Sequence, residues 1–244
     1  MSDGALSQDD INKMLRGEID LNEVSKNSDI PKEDMDLLLN AMNVYEKKKA
    51  EESNSETRLL KFTDDQLNKI GVIFGYFAQM AMNNLPGVLN CPVNMRVDTV
   101  NQITVNEFSR CIPTPTTLGF INMEPLKGDV VIEIDSNSTF AVIDIVRFGR
   151  TGVIKSYQEI TNNEVTIINN LFAYILEFTR LAWSGIINIQ PKLLKLETDP
   201  QTIKIAPASE MTALVTLAVN IAGIDGMINF CIPYPVIEPV LGKM

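Results

Sequence analysis

Near the middle of the 244-residue chain, Arg147-Phe148-Gly149-Arg150-Thr151-Gly152-Val153 gathers the residue types that docking surfaces use. Two glycines permit left-handed backbone and close approach of another chain, Phe148 offers an apolar anchor, and Arg147 and Arg150 supply charged donors. A plain connection between two segments would have the same composition, so the residues alone leave both readings open. Nucleotide chemistry is disfavoured, because Gly149 to Gly152 is too short for a dinucleotide fingerprint and lacks the Gly-Lys-Ser/Thr ending of a phosphate loop. Histidine is absent, which removes Ser-His-Asp and Cys-His nucleophiles and every His-ligated zinc site. Cys91, Cys111 and Cys231 are isolated, without the close spacing of a metal or redox motif. Cys231, inside Ile228-Asn229-Phe230-Cys231-Ile232, reads as a small core residue in a reducing compartment. No catalytic residue, metal site or cofactor is expected.

A second candidate lies at the amino terminus, where Leu6-Ser7-Gln8-Asp9-Asp10-Ile11-Asn12-Lys13-Met14-Leu15-Arg16-Gly17 carries a complete helix signature. Ser7 is the expected N-cap, Asp10 takes the third helical position, Leu6 and Ile11 have the spacing of a hydrophobic staple, and Gly17 supplies the stop. Ile11, Met14 and Leu15 form an apolar stripe opposite Asp9, Asn12, Lys13 and Arg16. So short a helix falls below the ~12 to 15 residues at which isolated helices become marginal in water, so it is expected to fold on a partner. Packing on its own domain is the alternative. The formal net charge of −10 and pI near 4.6 favour a protein partner over nucleic acid or an anionic membrane. The start lacks a signal peptide, and no apolar run approaches the ~20 residues that span a bilayer.

The elements that position these two features differ in kind. Residues 1–58 hold 14 acidic and 8 basic residues, more than half of the net charge, with low hydrophobicity. They predict a tethered, largely disordered tail. Within it, residues 31–48 have a helical pattern with Met35, Leu38, Leu39 and Met42 on one stripe. Asp34-Met35-Asp36-Leu37-Leu38-Leu39 echoes Asp10-Ile11-Asn12-Lys13-Met14-Leu15, so this is either a linker helix or a second, degenerate docking peptide.

From residue 59 the chain reads as one folded domain of two similar halves, 59–148 and 157–244, offset by about 98 residues. Thr63-Asp64-Asp65-Gln66-Leu67 pairs with Thr161-Asn162-Asn163-Glu164-Val165, Phe74 with Phe172, and Gly128-Asp129-Val130 with Gly226-Met227-Ile228. In the first half a helix capped by Thr63 runs to Leu85-Pro86-Gly87. Strands follow at 93–97, 118–123 and 130–134, the last two joined by Pro125-Leu126-Lys127-Gly128, and a helix at 139–148 closes the half. The second half repeats the order, with a helix at 162–183, strands at 193–196, 214–219 and 227–232, and a helix near 236–240. Gly223-Ile224-Asp225-Gly226 reads as a hairpin turn. These elements predict an α+β fold, a layered α/β/α domain with internal pseudo-two-fold duplication and the sheet between helices.

With the tail peptide and the duplicated domain both in view, the chain resembles the FliM family of bacterial flagellar motor switch proteins over nearly its whole length. The residues Leu6 to Leu15 are similar to the family's amino-terminal motif. Glu107-Phe108, Pro113-Thr114-Pro115-Thr116, Glu124-Pro125-Leu126-Lys127-Gly128, Glu197-Thr198-Asp199-Pro200-Gln201, Ile205-Ala206-Pro207 and Gly226-Met227-Ile228-Asn229-Phe230-Cys231-Ile232-Pro233-Tyr234 look like its middle domain, of CheC-like fold.

The resemblance implies a non-enzymatic component of the flagellar basal body, at the cytoplasmic face of the inner membrane, that controls rotation direction in chemotaxis. Leu6, Ser7, Gln8, Asp9, Asp10, Ile11, Met14 and Leu15 would bind phosphorylated CheY, and Phe148, Gly149, Arg150, Thr151 and Gly152 would dock on FliG. Arg150 stands where the family's Gly-Gly-x-Gly motif has its second glycine, and in a glycine-only backbone region it would carry a steric penalty. Neighbouring middle domains would stand side by side in a ring. A FliN contact is not expected, since the family's carboxy-terminal domain would follow Met244. The alternative is a phosphatase of phosphorylated CheY, like CheC or FliY. Such enzymes carry an acid or Ser, a Glu and an Asn on their helices. The first helix presents Leu67, Ile70 and Phe74 there, while Glu159 and Asn162 match the spacing with Lys155 in the acid position.

Overall fold

Thr63 opens the first helix through a reciprocal capping box: the Gln66 N–H donates to Thr63 Oγ1 at 3.2 Å, and the Thr63 N–H donates to Gln66 Oε1 at 3.0 Å. The helix α1 (Asp64–Leu89) buries Ile70, Ile73, Phe74, Phe77, Ala81, Leu85 and Leu89. It runs past the stop expected at Leu85-Pro86-Gly87. Burying Leu89, worth roughly 1.5–3 kcal/mol, offsets much of the cost of an interior proline, and Asn90 in left-handed backbone (φ 53°) supplies the cap instead. This computed structural model describes residues 60–153 and 162–244. The Leu6–Leu15 peptide, the linker with its helical pattern over 31–48, and residues 154–161 lie outside the described residues.

The strands are longer than the sequence periodicity indicates. β1 (Val93–Thr104) continues beyond Val97 because a bulge at Asp98 resets its alternation, with Val97 opposite Leu217 and Thr99 opposite Thr216. Then comes α2 (Val105–Cys111), which sequence periodicity misses, although Thr104 and Glu107 form a capping box like that of α1. The hairpin of β2 (Thr117–Glu124) and β3 (Asp129–Ile134) turns through Pro125 to Gly128 as expected, and α3 (Ser136–Phe148) starts on Asp135. In the second half α4 (Asn162–Trp183) leads to β4 (Gln190–Glu197), a 3-10 turn at Pro200–Thr202, the hairpin of β5 (Met211–Ile221) and β6 (Ile224–Pro233), and α5 (Tyr234–Leu241). The tight turn in that hairpin is Ala222-Gly223, at φ 50° and 89°, two residues before the expected centre at Ile224-Asp225. Two successive left-handed residues match the twist of a two-residue hairpin, and Ile224 already pairs with Ile221.

All six strands join one antiparallel sheet in the order β1-β5-β6-β3-β2-β4. Exchanging the halves (β1 for β4, β2 for β5, β3 for β6) gives the same order reversed. The pseudo-two-fold axis therefore passes between β3 and β6 at the pair Ile132 and Phe230, residues related by the duplication offset. Each half lends its edge strand to the other: β1 pairs with β5, and β4 with β2. Both edges are bulged, at Asp98 and at Leu194, which discourages further strand addition.

On one face the sheet packs against α1, α3, α4 and α5 through the main core, centred on Phe74, Phe77, Phe172, Phe178, Trp183 and Phe230. The opposite face carries a smaller core under α2 and Ile203, made by Val105, Phe108, Leu118, Phe120, Val131 and Cys231. This is the layered α/β/α duplication that the sequence predicts.

Candidate functional site

Helix α3 buries Ala141, Val142, Ile143 and Ile145 and then turns outward, leaving Val146 54% and Phe148 46% exposed. Gly149 ends the helix in left-handed backbone (φ 69°), its N–H bonded to the Ile145 carbonyl at 2.8 Å, and Gly152 is left-handed as well (φ 76°). A Cβ at either glycine would meet nothing within 4 Å, so backbone conformation selects glycine here, not crowding. Arg150, between them, is exposed and is not among the left-handed residues, so the steric penalty expected of an arginine at this position does not arise. The Arg147 guanidinium lies 5.0 Å from the Phe148 ring centroid, a cation–π contact that orients the ring. Phe148, Gly149, Arg150, Thr151 and Gly152 thus form one contiguous turn, with Thr151 half-buried and the others exposed. Beside it, between α1, α3 and α4, runs an open apolar groove of about 460 Å³ lined by Leu85, Val88, Val142, Val146, Ile167 and Tyr174.

The loop is anchored at both limbs by acids that motif reading misses. Asp144, 1% exposed, accepts the Val153 N–H at 2.7 Å, and Glu164, 7% exposed, pairs with Arg147 at 2.8 Å. Asp144 was legible in one respect: it is the acid inside the otherwise apolar run Phe140-Ala141-Val142-Ile143-Asp144-Ile145-Val146. A second buried carboxylate, Glu133, is 1% exposed in β3, accepting from Thr116 Oγ1 and from Asn229 Nδ2 at 2.8 Å, while Thr216 Oγ1 donates to Asn229 Oδ1 at 2.7 Å. Burial pushes the Glu133 carboxyl above its ordinary value against the pull of these hydrogen bonds, and nearby Asp135 adds to the rise.

The Cys231 thiol is pushed up to about 12 by burial, which makes it inert core as its sequence setting indicates. Among the described residues no group of three or more histidines, cysteines or carboxylates could hold a metal ion. Where the phosphatase reading needs an acid and an amide on α1, the chain has Leu67, Ile70 and Phe74, the last two buried in the core. Glu159 and Lys155 lie outside the described residues.

Comparison with known proteins gives this geometry a context. A family model described as "Flagellar motor switch protein FliM" matches residues 63–244. The chain is similar to the flagellar motor switch protein FliM of Treponema pallidum (strain Nichols), 40% identical over 185 residues, which cover 75% of this chain and 54% of that protein. It is similar to that of Borreliella burgdorferi, 35% identical over 246 residues, 99% of this chain and 67% of that protein. The chain therefore spans roughly half to two thirds of the length of these two relatives. Among solved structures, a FliG–FliM complex from H. pylori matches at a TM-score of 0.72 with 24% identity, covering 75% of this chain and 100% of that chain. Thermotoga maritima FliY matches at 0.66 with 15% identity, over 75% of this chain and 98% of that one. These two likenesses establish the fold. From the family match and the two relatives together, the chain belongs to the FliM family of flagellar motor switch proteins.

Proposed function

We propose that this chain is a non-enzymatic component of the flagellar motor switch, acting at the cytoplasmic face of the inner membrane. Its folded part, residues 59–244, docks on FliG through Phe148, Gly149, Arg150, Thr151 and Gly152 and stands beside neighbouring copies in a ring. The observation that carries the reading is the ordered, outward-facing turn, with an oriented aromatic anchor between an arginine pair and two left-handed glycines. An anchor of this kind, surrounded by groups that exclude water, is the usual composition of an interface hot spot. The FliG–FliM complex from H. pylori, of the same fold, supports FliG as the partner.

The amino-terminal segment 1–17 captures phosphorylated CheY through Leu6, Ser7, Gln8, Asp9, Asp10, Ile11, Met14 and Leu15, on a linker spanning 18–58. Tethering raises the local concentration of the captured regulator at the rotor. The regulator biases rotation only if it prefers one rotor state over the other.

The test is a titration of the full chain with FliG and, separately, with phosphorylated CheY. Phe148→Asp is expected to abolish FliG binding and spare CheY. Ile11→Asp is expected to do the reverse, since it puts a charge in the apolar stripe. Failure of the wild-type chain to bind either protein sinks the corresponding half of the reading.

A further inference from the structure

The docking turn is held by two ties, one of which crosses between the duplicated halves. On the incoming limb, Arg147 at the end of first-half helix α3 pairs at 2.8 Å with Glu164 in the first turn of second-half helix α4. On the outgoing limb, the Val153 N–H reaches back at 2.7 Å to Asp144 in α3. Both acceptors are deeply buried, the Asp144 residue 1% and the Glu164 side chain 9% exposed. Withdrawing a carboxylate from water is costly unless it accepts strong hydrogen bonds, and here the bonds accepted include one from each limb of the turn. Between the ties lie the two left-handed glycines, which can adopt many other conformations when unrestrained.

We propose that Asp144 and Glu164 are positioning residues that fix the Phe148 to Gly152 turn in its docking conformation before the partner arrives. The inference rests on the reading of that turn as the FliG contact. Its physical content is preorganisation: the entropy of ordering a glycine-containing turn is lost on folding, so association does not bear it. The Arg147–Glu164 tie also makes the turn sensitive to the relative placement of α3 and α4, because it joins the two helices.

The test uses the full chain and two separate readouts. Amide exchange of Arg150 to Val153 in the free protein, set against core amides of α1 as an internal control, reports whether the turn is pinned. Titration with FliG reports whether pinning matters for docking. Asp144→Ala is expected to raise exchange in the turn with the α1 amides unchanged. It should weaken FliG binding about tenfold, the scale of one hydrogen bond to a charged acceptor. Asp144→Asn keeps an acceptor oxygen and should recover most of the affinity, a rescue that general destabilisation would not produce. If Asp144→Ala fails to fold, Glu164→Ala removes the other tie without altering Phe148 or the arginines and carries the same expectations. Exchange in the turn unchanged by both variants overturns the clamp. A looser turn that still binds FliG with wild-type affinity overturns the positioning role. A wild-type chain that does not bind FliG at all overturns the docking reading itself, and the ties are then structural only.

Discussion

Gly119 in β2 faces the ring of Phe172 in α4 so closely that a Cβ on Gly119 would lie 2.2 Å from the ring. The contact joins the two halves at the centre of the main core, and both partners are rigid: one is backbone, the other a fully buried aromatic. Gly119→Ala should therefore destabilise the domain by about 1–3 kcal/mol, the usual cost of overpacking, read as a lower thermal midpoint. Trimming the ring with Phe172→Leu in the same chain should recover part of the loss. Two independent, additive losses would contradict the contact.

Glu133 gives the domain an unusual pH dependence. Its carboxyl is raised by burial, with Thr116 and Asn229 opposing, so the protonated form is favoured more in the folded chain than in the unfolded one. Below the ordinary glutamate value both states are protonated and the group is neutral in its effect. As pH rises from that value through the raised one, the unfolded state ionises first and the folded state loses stability. Glu133→Gln removes this contribution, so the stability difference between variant and wild type should grow with pH across that window in denaturant titrations. A pH-independent difference refutes the assignment.

Glycines with equal empty space around them should respond to alanine with opposite signs. Gly75, in the exposed middle of α1, has nothing near its missing Cβ, and Gly75→Ala should stabilise by about 0.5–1 kcal/mol. Gly149 and Gly152 are equally open but left-handed, and alanine at either should cost about 1–2 kcal/mol. Chemical denaturation of the three variants checks the contrast.

Arg150→Gly puts a third glycine in the turn. Because Arg150 is not left-handed, the change relieves no strain, and the greater freedom of the unfolded chain should cost about 0.4–1 kcal/mol. A measured gain in stability would show that the arginine is strained after all.

The duplicated architecture was legible because both helix starts, the hairpins and the aromatic pair Phe74 and Phe172 recur at a constant offset. The full length of β1 was not legible, since the bulge at Asp98 breaks the alternation on which strand reading depends. Helix α2 was hidden by its shortness: seven residues hold two helical turns, too few for periodicity, and only the Thr104–Glu107 box marks it. Pro86 misled because a proline signals a stop, whereas buried Leu89 draws the helix onward. At the candidate site, Phe148 and the two glycines stand out by residue type alone. Asp144 shows only as an acid within an apolar run and Glu164 not at all, since their importance comes from a hydrogen bond back to Val153 and an ion pair with Arg147 on another helix.

The reversible strand order has one more consequence. Since each half completes its sheet only with the edge strand of the other, a half-length chain would have unpaired hairpins and would reach the same architecture only as a strand-exchanged homodimer. The connector from Gly149 to Thr161 turns that second-order encounter into a concentration-independent one. The turn proposed to meet the rotor is thus part of the covalent link between the two halves, and a pull on it is applied at their junction.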